Sequence, residues 1–329
     1  MRGGTADTSA YATLASARGV SALEAATMSL FRHLRYRWAL QNRVDLQISL
    51  DEGSFRSRDP KNRAIYTTGD QITGCAVVRS RVTFPLPCTL LTVKLVALVS
   101  VGYGISQRDW EVFSRTLSFK PESVKLEPHA AVSLPFAFRC AELVHDTYES
   151  TRVRCVYRVV LSFHGYSGLS SRSTGVEVVV RLSQRAPRFF PAIHFNAGLE
   201  DILNLELQLD RRAYSIEDVI VGSLTFLDNH IAIRRADIEI RRQESGFSLP
   251  MQSVLVGSFQ VLAGSPKPAC KLPIRIFLRQ FDDLTPTYED VCGLFSVHYM
   301  LRVVVTDIGD RRFWKEQPIA FWRAPPCNA

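Results

Sequence analysis

Gly165-Tyr-Ser167-Gly-Leu169 is the stretch that comes nearest to catalytic chemistry. A serine on a sharp turn between two glycines acts as a nucleophile when a helix follows and a base lies within reach. Here Leu169 stands where the second glycine belongs and no helical pattern follows, so the turn reads as a surface hairpin. Asp282-Asp283 and Glu289-Asp290 are paired acids, which general acid–base work uses when their environments drive their pKa values apart. They flank the turn Thr285-Pro286-Thr287 and read as solvated. The seven histidines (33, 129, 145, 164, 194, 230 and 298) show no close spacing to one another or to acids. The seven cysteines (75, 88, 140, 155, 270, 292 and 327) form no Cys-x-x-Cys and no zinc-ligand spacing. No glycine-rich loop is present to cradle a phosphate. The sequence predicts no enzyme, no metal site and no cofactor.

The elements that must position any site read as strands. Leu203, Leu205, Leu207 and Leu209 alternate with polar residues, the two-residue period of a half-buried strand. Ile220, Leu224 and Phe226 continue the beat, with Gly222 where a side chain would crowd. Asp228-Asn229-His230 interrupts, and Ile231, Ile233, Ile238 and Ile240 resume it, which predicts three antiparallel strands. Earlier alternating runs are Val44 to Leu50, Ile72 to Val78, Leu91 to Val101, Val132 to Phe138 and Val153 to Phe163, with a loop over 51–63. No long helix is expected after residue 42. Many short strands separated by turn residues argue for β-sandwiches.

The two halves of the chain mirror one another. Tyr66, Ile72 and Gly74 match Tyr214, Ile220 and Gly222, and Tyr148-Glu with Tyr157 matches Tyr288-Glu with Tyr299, both at offsets of about 140–150 residues. A duplicated sandwich is implied by that repetition alone. Arg185-Ala-Pro-Arg-Phe-Phe-Pro191 between the halves is a short stiff connector. The expected division is an N-terminal extension over 1–42, a first sandwich over 43–186, a linker over 187–195, a second sandwich over 196–324 and a tail over 325–329.

With 46% hydrophobic and 22% charged residues, the 329-residue chain has the composition of an ordinary soluble protein with room for two domains. Its formal charge of +8 is spread along strands, as at Arg234-Arg235 and Arg241-Arg242, and no basic block with interleaved aromatics points to nucleic acid. Cys75, Cys155 and Cys292 are expected inside apolar strands, as small hydrophobes in a reducing, cytosolic compartment. The longest apolar run, around Leu95 to Val101, is too short to cross a bilayer. Residues 1–42 are rich in alanine, serine, threonine and arginine. They are expected to be a disordered extension, or an over-long start with Met28 as the true one. A basic amphipathic helix around Leu30, Leu34 and Trp38 and a transit peptide stay open.

The chain from about residue 195 to 323 carries a family resemblance, densest between Gly198 and Glu244. The residues are Gly198-Leu-Glu-Asp, Tyr214 with Asp218-Val-Ile-Val-Gly222, Ile231-x-Ile233, Glu239-Ile240-x-Arg242-x-Glu244, Pro273-Ile-Arg-Ile-Phe-Leu278, Leu284-Thr-Pro-Thr287, Phe295-Ser-Val-x-Tyr299 and Trp322-Arg323. In this order they resemble the vacuolar protein sorting 26 family, the arrestin-like subunit of the endosomal retromer coat. The match is thinner in the first half, at Val44 to Leu50, Gly74, Tyr148-Glu-Ser150 and Tyr157-Arg-Val159. The resemblance implies an all-β protein of two tandem arrestin-like sandwiches joined by a short linker. It also implies a non-catalytic coat subunit, cytoplasmic and peripheral on endosome membranes.

The resemblance further implies that Val261 and Leu262 are apolar anchors for the α-solenoid retromer subunit, vacuolar protein sorting 35, with Arg242 and Glu244 as rim contacts. The region of Phe295, facing the junction between sandwiches, would help receive a sorting nexin and the cytosolic tail of a transmembrane cargo. From the residues themselves, Gln243 to Leu262 is the best candidate for an exposed edge strand, with Phe247 and Leu249 in its loop. Two rivals stand beside this reading. One is an arrestin-domain adaptor or retriever-type arm with other partners. The other is an enzyme or lipid carrier using a polar pocket inside a sandwich.

Overall fold

The computed structural model describes residues 43–83, 88–102, 107–119, 127–165, 171–186, 191–199, 202–246 and 249–325. Strands dominate. The first half contributes β1 (Val44–Leu50), β2 (Ser57–Arg58), β3 (Ala64–Thr67), β4 (Gln71–Ser80), β5 (Cys88–Val101), β6 (Arg108–Phe119), β7 (Ala131–Arg139), β8 (Tyr148–Glu149), β9 (Val153–Gly165) and β10 (Ser171–Arg181). The second contributes β11 (Ile193–Leu199), β12 (Leu203–Leu209), β13 (Ala213–Ser215), β14 (Val219–Asn229), β15 (Ile233–Gly246), β16 (Leu249–Ala263), β17 (Cys270–Phe277), β18 (Tyr288–Val291), β19 (Phe295–Asp307) and β20 (Arg312–Trp322). Helix among the described residues is limited to three short turns, Glu52–Ser54, Cys140–Glu142 and Leu278–Gln280.

Each half builds two sheets. A three-stranded sheet, β1-β4-β7, accompanies a seven-stranded one, β2-β3-β10-β9-β5-β6 with β8 on β9. A four-stranded sheet, β11-β12-β14-β17, accompanies a six-stranded one, β13-β20-β19-β15-β16 with β18 on β19. Their apolar faces bury Val44, Ile72, Val93 and Val159 in the first half and Leu207, Ile220, Ile238 and Val303 in the second. This is the all-β, two-sandwich, arrestin-like architecture expected from the alternation and the duplication.

The duplication extends to single atoms. Leu50 pairs with Gly74 and Leu209 with Gly222. A Cβ on Gly74 would lie 2.3 Å from the Ser49 carbonyl oxygen, and one on Gly222 would lie 2.2 Å from that of Gln208. Both glycines let neighbouring backbone approach where any side chain would collide. The Thr147 hydroxyl accepts from the Val180 amide at 2.9 Å, and the Thr287 hydroxyl from the Phe321 amide at 2.9 Å. Short strands also run parallel to the last strand of each half, β3 beside β10 and β13 beside β20.

Three expectations change. β12 and β14 pair antiparallel, but β15 belongs to the opposite sheet, between β16 and β19. Alternation reports that one face is buried, not which sheet buries it, and Asp228-Asn229-His230 marks a passage between sheets. Cys292 lies in the turn between β18 and β19, exposed and with φ 55°, not inside an apolar strand. β11 begins at Ile193, so part of the stretch expected as linker is strand, while 187–190 lie outside the described residues. The 1–42 extension, Phe247, residues 166–169 of the serine turn and Cys327 also lie outside them.

Candidate functional site

The residues expected to form one partner-binding region fall into two places. β16 is the outer strand of the six-stranded sheet, hydrogen-bonded to β15 on one side. Leu262 pairs with Ala236 and Gln260 with Asp237, which leaves Val261 as the extra residue of a β-bulge. A bulge breaks the strict in–out alternation of a strand and re-aims its side chains. Here it lets the consecutive residues Val261 and Leu262 both pack on the core of the second sandwich while both stay half-buried. Gly264, at φ +83°, turns the chain directly after them. The result is a pair of apolar side chains at the end of an edge strand. An edge strand also carries backbone groups available to a partner.

Arg242, Glu244 and Phe295 meet elsewhere, at the junction between the sandwiches. Glu244 pairs with Gln252 near the other end of the β15–β16 hairpin, about 26 Å along the strand from Ala236 at ~3.3 Å per residue. The expectation of rim contacts is corrected here. Glu244 is 3% exposed, with the Tyr148 hydroxyl donating to Oε1 at 2.5 Å and the Ser150 hydroxyl to Oε2 at 3.0 Å. Arg242 approaches the same carboxylate at 3.2 Å and lies over the Tyr148 ring at 5.6 Å. A carboxylate so deep needs these donors, because an unpaired buried charge is strongly destabilising. Phe295 is 3% exposed and stacks on Tyr148, ring centroids 5.7 Å apart, with Tyr288 edge-on to the same ring.

Further polar groups tie the sandwiches together. Arg152 donates to the Pro250 carbonyl at 2.9 Å and to Gln252 Oε1 at 3.0 Å. Arg323 pairs with Asp146 at 3.2 Å, and the other Asp146 oxygen accepts from the Leu182 amide at 2.7 Å. Burial pushes the Asp146 carboxyl up, against the pull of Arg323. It likewise pushes the Tyr148 phenol up, keeping it a proton donor to Glu244. Sequence reasoning did not single out Asp146 or Arg152. Their one signal is that each is a charged residue beside a buried strand.

The acids considered for general acid–base work, Asp282, Asp283, Glu289 and Asp290, are exposed. Asp290 accepts from the Gly293 amide at 2.6 Å as a turn cap. Among the described residues, no group of three or more histidine, cysteine, aspartate or glutamate side chains is placed to hold a metal ion. No helix among them is long and apolar enough to cross a membrane. The arrangement offers packing, pairing and docking surfaces.

Comparison with known proteins agrees with that geometry. The family described as vacuolar protein sorting-associated protein 26 matches residues 40–310. A Plasmodium falciparum protein of that name is 27% identical over 289 residues, covering 85% of this chain and 95% of its own length. Arabidopsis thaliana vacuolar protein sorting-associated protein 26B is 34% identical over 193 residues, covering 57% of this chain and 63% of its own. The Caenorhabditis elegans protein is 28% identical over 264 residues, covering 79% and 72%. With a match that runs through both sandwiches and the junction between them, the chain belongs to the vacuolar protein sorting-associated protein 26 family.

Proposed function

We propose that this chain is a retromer coat subunit whose β16 end docks on the α-solenoid subunit, vacuolar protein sorting 35. The coarser role, vacuolar protein sorting as a generally non-catalytic subunit, comes with the family. The observation that carries the finer reading is the bulge that holds Val261 and Leu262 side by side and half-exposed on an edge strand. Apolar anchors beside unpaired backbone suit a partner that adds contacts to a sheet edge. Arg242, Glu244 and Phe295 act from beneath the surface. They fix how the sandwiches sit together, and so shape the face on which a sorting nexin and a cargo tail would assemble. Several modest contacts on one scaffold give avidity at the endosome membrane, with peripheral attachment through the partners.

The test is co-purification from cell extract of the wild type and Val261→Asp/Leu262→Asn, with circular dichroism on both. Loss of the solenoid subunit from a folded variant supports the reading. A wild type that brings down no solenoid subunit sinks it and moves the arrestin-domain adaptor reading ahead. A variant that unfolds assigns the two residues to the core and removes them from the interface.

A further inference from the structure

The second sandwich is open on the side opposite β16. β20 pairs with β19 from Arg312 to Ile319, but on its other edge β13 covers only Ala320 to Trp322. Residues 312–318 therefore present a bare strand edge among the described residues. β11, the outer strand of the facing sheet, borders the same cavity as β20 through Ala197 and Gly198. Between them lies a cavity of about 260 Å³ floored by Ala197, Leu203, Leu205, Val303 and Val305, each 8% exposed or less. Phe313 and Lys315 line its mouth and pair with the inward-facing Val305 and Val303. Trp314, also in the lining, is 58% exposed, with the Arg302 guanidinium 4.2 Å from its ring centroid.

Size, hydrogen bonding and charge together choose the occupant. The cavity is smaller than the range of about 300–1,000 Å³ typical of small-molecule sites and suits one or two apolar side chains. The bare N–H and C=O groups of β20 are satisfied by an extended chain, not by a lipid tail. Lys315 makes no ion pair among the described residues, and Arg312 shares Glu239 with Arg241. A lysine on a strand edge rejects apolar or basic strands and accepts one that brings an acid. The same charge disfavours the arginine-rich residues 1–42 and a second copy of a chain whose net charge is +8.

We propose that this side of the second sandwich binds an extended segment of a partner protein in which apolar and acidic residues alternate. The segment pairs with β20 along 312–318, its apolar side chains entering the cavity and an acid meeting Lys315. The site sits on the opposite edge of the sheet from Val261 and Leu262 and does not depend on the docking assigned to them.

The experiment uses the full chain and a pool of labelled heptapeptides alternating Leu, Ile or Phe with Asp or Glu. Controls are the same pool with lysine for the acids, and oleate. Binding is read by fluorescence anisotropy, and pairing by hydrogen–deuterium exchange over 312–318. The acidic pool is expected to bind and to slow exchange there. Lys315→Glu, a change at an exposed position, is expected to weaken acidic binding at least about tenfold and to admit the lysine pool. Absence of binding by the acidic pool, or binding without slowed exchange, overturns the proposal. So does equal binding of the lysine pool, displacement by oleate, or slowing that follows protein concentration without peptide.

Discussion

The Tyr148 hydroxyl in β8 donates a 2.5 Å hydrogen bond to Glu244 Oε1 in β15, joining the first sandwich to the second through a carboxylate that is 3% exposed. Ser150 and Arg242 complete the ring of partners around it. The family relationship explains why two sandwiches are present. This contact explains why they hold one arrangement.

Tyr148→Phe keeps the ring that stacks on Phe295 but removes a donor from Glu244, and is expected to cost about 1–3 kcal/mol. Glu244→Ala strands Arg242 and the Tyr148 hydroxyl together and is expected to cost about 3–5 kcal/mol. The double variant should lose less than the sum, because both changes break one network. Urea unfolding of the four proteins measures this. An unchanged midpoint for Tyr148→Phe would show that the contact contributes nothing.

Gly222→Ala and Gly74→Ala each force a Cβ against a carbonyl oxygen on the neighbouring strand. Both are expected to lower stability by about 1–3 kcal/mol through backbone displacement. Gly69 has open space around its Cβ position, so Gly69→Ala should stay within about 0.5 kcal/mol of wild type. Thermal denaturation of the three variants side by side checks the ranking. Equal behaviour of all three would remove steric crowding as the reason for glycine at 74 and 222.

Burial opposes ionisation of Glu149, but hydrogen bonds from Arg63, Lys61 and Arg154 outweigh it and hold its pKa at about 2, below the ordinary 4.5. A carboxylate with a depressed folded-state pKa stabilises fully above its unfolded value, and loses that contribution as pH falls through the folded one. The stability advantage of wild type over Glu149→Gln should be constant above about pH 5 and shrink between about pH 4.5 and 2. Chemical denaturation across that range decides it. A gap that does not depend on pH would assign the role of Glu149 to packing.

The sandwiches were legible because burial of one sheet face writes itself as alternation, and crowding writes itself as Gly74 and Gly222. Tyr66 and Tyr214, both fully buried, marked the duplication for the same reason. The site was less legible. Alternation through Ile233 and Ile240 carries no record of which sheet receives β15. Arg242 and Glu244 look like any exposed pair on a strand until Tyr148 and Ser150, from nearly a hundred residues earlier, are set against them. The bulge at Val261 depends on register with Ala236, which one strand's sequence does not specify. Long-range pairing separates what the residues state from what the fold decides.

The parallel pairing of β13 with β20 sets an order of events during synthesis. The first sandwich has its parallel partner for β3 once residues 179–181 leave the ribosome, whereas β13 waits for residues 320–322. At about 5–20 residues per second that interval lasts roughly 7–30 s. Throughout it, Asp146 lacks the Arg323 that will cover it. The Asp146 side of the junction is thus completed only once Arg323 is made, later than the Tyr148–Glu244 contact across the same junction.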